Sequence, residues 1–202
     1  TAAIKSAGAP MGFITEEDNF ADYPFIVAPA YQLIDQKLVG KWQKYVENGG
    51  NLILTCRTGQ KDKNGHFFEA NWSAPIVPLI GADVEFFDML VADVNGTVKA
   101  GENSYKWNTW ADVLNPKKGT EVLATYEDQF YKGKAAAVTR KLGKGSITYV
   151  GVESINGDFE RQIVRTIYDR ANVTIEDLPK GVFVEWRDGF YVGVNYTSEA
   201  IN

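Results

Sequence analysis

Cys56 and His66 are the only thiol and the only imidazole in 202 residues, so nucleophilic catalysis of the thiol–imidazole kind would have to run through them. A cysteine just past the C-terminal end of a buried strand stands where open α/β sheets present their active sites. Its thiolate becomes a useful nucleophile when a neighbouring base or a helix N-terminus lowers the thiol pKa. Here Arg57, Thr58 and Gly59 open a long loop instead of a helix, and His66 follows in that same loop. A triad needs its imidazole on a separate, rigid element, so a half-buried structural cysteine is the preferred reading. A cysteine hydrolase or amidotransferase-like enzyme centred on Cys56 is the alternative. One cysteine and one histidine also argue against structural zinc or any other His/Cys metal centre, and exclude a disulfide within the chain.

Other chemistry is harder to assemble. Glu16, Glu17, Asp18, Glu85 and Asp88 are carboxylates, but glycosidase chemistry needs two at a fixed separation across a cleft, and spacing does not pair these. No glycine-rich phosphate motif follows a strand, so no nucleotide and no cofactor is expected. The aromatic residues are more suggestive. Loop 57–73 carries Arg57, His66, Phe67, Phe68 and Trp72, a cluster expected either to face a protein or sugar partner or to pin the loop to its own domain. Trp107 and Trp110 join Trp72 in a carbohydrate-binding reading, against which stands simple covering of a sheet edge.

These residues need elements to hold them. Residues 25–28 form a short apolar run that reads as a buried strand. Asp35 then caps an amphipathic helix with Leu38, Val39, Trp42, Tyr45 and Val46 on one face, and residues 51–56 form a second buried strand. This is a β-α-β crossover on a parallel sheet. Before it, residues 1–7 read as the end of a helix begun earlier, and residues 11–14 as a first strand. After it come a brief helix near Pro75, a strand at 84–87, hairpin decoration over 94–110, a strand at 121–126, a hairpin turning at Gly143-Lys144-Gly145, and a helix over 158–170. Beyond a linker at 174–181, residues 182–186 and 190–194 form a hairpin about Asp188-Gly189.

The composition, 45% hydrophobic and 23% charged, is that of a folded domain. A net charge of −5 without a basic cluster argues against nucleic acid or an anionic membrane surface as partner. No apolar run has membrane-spanning length. The compartment is not readable.

Three stretches carry a family resemblance. Tyr23-Pro24-Phe25-Ile26-Val27-Ala28-Pro29-Ala30-Tyr31, then Tyr45-Val46-Glu47-Asn48-Gly49-Gly50-Asn51-Leu52-Ile53-Leu54-Thr55, then Arg57-Thr58-Gly59 resemble the trimerisation domain of family 42 β-galactosidases. Leu79-Ile80-Gly81-Ala82-Asp83-Val84, Phe86-Phe87-Asp88 and Leu142-Gly143-Lys144-Gly145 are similar to it too. Leu178-Pro179-Lys180-Gly181-Val182 and Asn195-Tyr196-Thr197 resemble the start of the same enzymes' small C-terminal β-domain. The resemblance implies a flavodoxin-like, class I glutamine amidotransferase-like three-layer α/β sandwich with a mixed sheet over residues 1–173, followed by part of an all-β domain over 174–202. It further implies a non-catalytic assembly role in a retaining β-galactosidase homotrimer. The catalytic barrel and its two glutamates would lie outside this segment, and the partners would be that barrel and neighbouring subunits, with a galactoside possible at the subunit contact.

Overall fold

The computed structural model describes residues 2–179 and 181–200; Thr1 of the expected opening helix and Lys180 of the expected linker motif lie outside the described residues. Its helices are α1 (Ala2–Lys5), α2 (Gln36–Glu47), α3 (Val77–Ile80) and α4 (Asp158–Arg170). Its strands are β1 (Phe25–Ala28), β2 (Asn51–Thr55), β3 (Ala82–Met89), β4 (Gly96–Ala100), β5 (Asn103–Pro116), β6 (Glu121–Tyr126), β7 (Ala135–Leu142), β8 (Gly145–Val150), β9 (Val152–Ser154), β10 (Val182–Arg187) and β11 (Phe190–Asn195). They divide into two compact units, residues 16–155 and residues 1–15 with 156–202.

In the larger unit, β1, α2 and β2 form as the apolar spacing requires. Asp35 is extended, and its carboxylate accepts the Leu38 backbone N–H at 2.7 Å, which satisfies a donor that the first helical turn leaves unpaired. Leu38, Val39, Trp42, Tyr45 and Val46 are then buried on one face. The Tyr45 ring lies so close to Gly50 that a Cβ there would meet it at 2.2 Å, so the turn from α2 into β2 tolerates only glycine at that point. β1 pairs with β2, and β2 with β8, in parallel.

Beyond Gly81, which closes α3 in the left-handed conformation, every strand pairing described is antiparallel apart from that of β8 with β2. The reason is the connections: the turns at Gly101 and Gly143 are too short for anything but a hairpin. The sheet runs β1-β2-β8-β7-β6-β4-β5-β3. β5 is fourteen residues long and spans it, pairing with β4 through its first half and β3 through its second. It also meets β7 at Leu114↔Ala135, which closes β7, β6, β4 and β5 on themselves.

The expected flavodoxin-like, glutamine amidotransferase-like three-layer sandwich is therefore not what forms. The chain is mostly β, with an antiparallel, barrel-like closed sheet; only α2 and α4 exceed four residues among the described helices. One parallel β-α-β unit is present, but the hairpins after it curl the sheet instead of extending a doubly wound one. Nor do residues 11–14 form a strand. Lys5 pairs with the Glu185 carboxylate and holds it below the usual carboxylate range.

The smaller unit joins α1, α4 and the β10–β11 hairpin. Arg161 Nε donates to Ser6 Oγ at 3.0 Å, and Arg165 pairs with Asp177. At the hairpin tip Asp188 and Gly189 both take positive φ, the conformation a two-residue turn needs to match the strand twist.

Candidate functional site

Loop 57–73 leaves the C-terminal end of β2 and is tied down at both ends. The hydroxyl of buried Thr58 donates to the Thr55 carbonyl at 2.7 Å and accepts the Tyr31 N–H at 3.2 Å. Ser73 Oγ donates back to the Thr58 carbonyl at 2.9 Å, so the loop returns to where it started. Gly59, at φ 75°, lies against Ile34 and Ile76, which seats this base in the core. Further out, Asp62 turns the chain by accepting the Asn64 and His66 backbone N–H groups at 2.8 and 2.9 Å. The His66 N–H is the main reason its carboxyl titrates below the usual range.

The loop then lays its aromatic residues against the sheet. Phe67 stacks on Trp72 with ring centroids 5.5 Å apart, Trp72 on Phe87 at 4.7 Å, and Phe87 on Trp110 at 4.4 Å with only 6° between their planes. Phe87 of β3 and Trp110 of β5 share a sheet face, because Phe87 is directly opposite Asp112, two positions along from Trp110. Each end of this ladder carries a cation: Lys61 Nζ lies 4.8 Å from the Phe67 ring centre, and the Arg57 guanidinium 5.0 Å from that of Trp110. Phe67 is 55% exposed and Phe87 41%, while Trp72 and Trp110 are half-buried.

Asp112 fixes the inner edge. Its buried carboxylate accepts the Trp110 indole N–H at 2.8 Å on Oδ1, and on Oδ2 the Tyr149 hydroxyl at 2.7 Å and the Arg57 backbone N–H at 2.9 Å. Burial pushes this carboxyl above the usual carboxylate range, and the three donors pull it part of the way back. Arg57, held at φ 70°, depends on that bond to present its side chain over Trp110. Neither Asp112 nor Tyr149 was a candidate from sequence; the signal was a lone carboxylate in the otherwise apolar run of residues 111–114.

Of the sequence candidates, Arg57, Phe67 and Trp72 meet in the ladder. Phe68 is half-buried beside it, its N–H donating to the Gln60 carbonyl at 3.3 Å. His66 points outward, its side chain 80% exposed and 3.6 Å from Asp62. Cys56, by contrast, is 7% exposed and close enough to influence Tyr126 and Tyr149 electrostatically. A solvent-facing imidazole does not activate a thiol inside the core. Trp107 is fully buried against Tyr126 and offers no surface to a sugar. The ladder is equally unsuited to stacking a sugar: the rings cover one another's faces, and the two cations lie over the terminal rings. Phe67 and Phe87 are the exposed rings, while the indole N–H edges of Trp72 and Trp110 are turned inward, the first buried and the second bonded to Asp112.

The comparisons bear on the same segment. The family model described as the β-galactosidase trimerisation domain matches residues 2–174. β-Galactosidase BgaH of Haloferax lucentense is 30% identical over 98% of the chain and 30% of its own length. β-Galactosidase BglY of Alicyclobacillus acidocaldarius is 31% identical over 98% of the chain and 31% of its length. Among solved structures, a β-galactosidase from Halorubrum lacusprofundi superposes with a TM-score of 0.90 at 29% identity, covering 98% of this chain and 29% of that one. The enzyme from Rahnella sp. R3 gives 0.89 at 23% identity over 98% and 31%, a likeness of fold alone. The chain thus spans about three tenths of the length of the relatives it matches, and it belongs to the trimerisation-domain family of the glycoside hydrolase family 42 β-galactosidases.

Proposed function

We propose that this chain is a non-catalytic assembly segment of a longer, retaining β-galactosidase that acts on terminal β-galactosides as a homotrimer, with the chemistry carried on parts of the polypeptide outside this span. Residues 174–202, with the β10–β11 hairpin, open a further all-β domain in this reading. The observation that carries the assembly role is the ladder: four stacked rings, fixed from beneath by Asp112, left at the surface with their faces already mutually covered. Exposed contiguous aromatic surface of this kind marks contact sites in soluble proteins. Rings whose faces are already mutually covered suit a protein surface better than a pyranose, which stacks on ring faces. Loop 57–73 with Arg57, His66, Phe67, Phe68 and Trp72 then faces a neighbouring subunit or the barrel.

The test is the mass of the full-length polypeptide. Phe67→Ser with Phe87→Ser opens the ladder at solvent-exposed positions, and sedimentation should show the trimer shifting to smaller species with the circular dichroism of each subunit retained. A trimer of undiminished stability would reject the role assigned to this face. A second prediction separates the enzyme reading: Cys56→Ala should leave the turnover of a chromogenic β-galactoside unchanged.

A further inference from the structure

We propose that the cavity between residues 19–24 and the C-terminal half of α2 binds a small aromatic monocarboxylate, its ring inward and its carboxylate at the mouth against Lys44 and Asn48. The cavity lies at the opposite end of β1 and β2 from loop 57–73, because Pro24 and Gly50 line it and directly precede those two parallel strands. It is therefore separate from the ladder and independent of the assembly role.

The cavity holds about 450 Å³, within the range of small-molecule sites. Lys41 fixes its shape. That side chain reaches from α2 to the acidic loop, where Nζ donates to the Glu16 and Asp18 carbonyls and sits 3.9 Å from the centre of the Phe20 ring. Phe20 in turn meets Tyr45 edge to face, with centroids 6.0 Å apart. Both residues are buried, and the Tyr45 hydroxyl is spent on the Tyr23 carbonyl at 2.8 Å, so the floor is aromatic carbon. Tyr23 is the most exposed of the three rings.

The mouth is polar and positive. Two lysines and no acidic residue line the cavity, on a chain of net charge −5. The flanking acids are engaged: Asp22 accepts from Asn19 Nδ2 at 2.9 Å, and Glu47 from Gln43 Nε2 at 2.8 Å. With Lys41 committed to the loop, Lys44 is the available cation. Among the described residues it makes no ion pair, and the Asn48 carboxamide makes no hydrogen bond. The two residues are one helical turn apart, so ammonium and carboxamide share a face and match the two oxygens of one carboxylate. α2 ends here, and a helix C-terminus opposes negative charge through its unpaired carbonyls. In this helix they are paired: the Lys44, Tyr45 and Val46 carbonyls accept the Asn48, Gly50 and Gly49 N–H groups at 3.2, 3.0 and 3.0 Å, and Glu47 accepts that of Lys144. What remains of the dipole favours one negative charge over two, hence a carboxylate over a phosphate monoester. The floor selects an aromatic body, since a third ring extends the edge-to-face pair.

The experiment titrates benzoate, benzamide and phenyl phosphate into the full-length polypeptide, reading saturation transfer to the ligand's ring protons. Four proteins are compared: wild type, Lys44→Arg, Lys44→Glu and Tyr23→Ser. Lys44 is exposed, and the Tyr23 backbone carbonyl survives its substitution, so circular dichroism should be unchanged. Benzoate should bind wild type and Lys44→Arg alike, and Lys44→Glu and Tyr23→Ser about tenfold or more weakly; benzamide should bind wild type about tenfold more weakly than benzoate. If Tyr23→Ser misfolds, Lys44→Glu decides. Benzamide binding as tightly as benzoate overturns carboxylate recognition, and phenyl phosphate binding more tightly overturns the preference for a monoanion. If benzoate binds all four proteins alike, it is held elsewhere on the polypeptide and the proposal is wrong. It is equally wrong if wild type shows no saturation by about 10 mM, a weak limit for a ligand of this size.

Discussion

Replacing Asp112 with Asn keeps the side chain's shape and removes one of its two acceptor oxygens, which isolates what the buried carboxylate does. Oδ2 accepts from Tyr149 and Arg57, and Oδ1 from Trp110. If the amide oxygen keeps the first two, its NH₂ confronts the Trp110 indole N–H at 2.8 Å, donor against donor. An unsatisfied buried donor costs about 1–3 kcal/mol. Against that, burial is the largest influence on this carboxyl and opposes its charge, and Asn relieves it. We expect a net loss of about 1–2 kcal/mol near neutral pH, or about 2–8 °C in Tm for a chain of this size. Asp112→Ala orphans all three donors and should cost more, about 3–5 kcal/mol. The pH dependence has a definite sign. Because the folded carboxyl titrates above its unfolded value, the stability it contributes is fully present below the unfolded pKa of about 3.9 and is lost as pH rises through the folded value. The wild-type advantage over Asn should therefore widen as urea titrations move from neutral pH towards about pH 4. An Asn variant as stable as wild type at neutral pH, with a difference that does not vary with pH, would refute this account of Asp112.

Gly96→Ala should destabilise by about 1–3 kcal/mol in chemical denaturation, because its Cβ would sit 2.4 Å from the fully buried Trp107 indole. Thr58→Val removes a hydroxyl that bonds Thr55 and Tyr31; a loss of about 1–3 kcal/mol should come with faster hydrogen exchange across loop 57–73, and unchanged exchange there would show that the loop is anchored elsewhere. Gly50→Ala meets the Tyr45 ring at 2.2 Å and should expose that ring and lower Tm, measurable by tyrosine fluorescence and calorimetry.

The local elements were legible because their signals are local. Asp35 and the apolar spacing after it specify α2, and Asp188-Gly189 specifies a hairpin, whatever surrounds them. Fold class was not, because it depends on pairings far apart in sequence: nothing in the composition of β5 announces that Leu114 meets Ala135 and closes the sheet. A single β-α-β unit suggests a doubly wound fold, whereas the hairpin turns at Gly101 and Gly143 make the pairings beyond it antiparallel. The site divides in the same way. Loop length and its aromatic residues marked Arg57, Phe67 and Trp72, whereas Phe87, Trp110 and Asp112 join them only through the register of β3 on β5. Residues 11–14 have the apolar pattern of a strand, but none of the sheet pairings described includes them.

The reach of β5 also sets an order of events during synthesis. It pairs backwards with β3 and β4 and forwards with β7 and β9, and the carboxylate it carries is completed by Tyr149. Contacts this distant in sequence close late, and long-range β pairing is intrinsically slow. Loop 57–73 therefore leaves the ribosome long before the residues that fix Trp110 beneath it, and its aromatic side chains wait without their ordered stack. Chains whose translation stops short of residue 149 should lack the ordered stack, while retaining β1, α2 and β2 as a local unit. Arrested nascent chains ending on either side of that residue should differ in protease cleavage across the loop. Under the assembly role proposed above, self-association is then reserved for chains whose sheet has already closed.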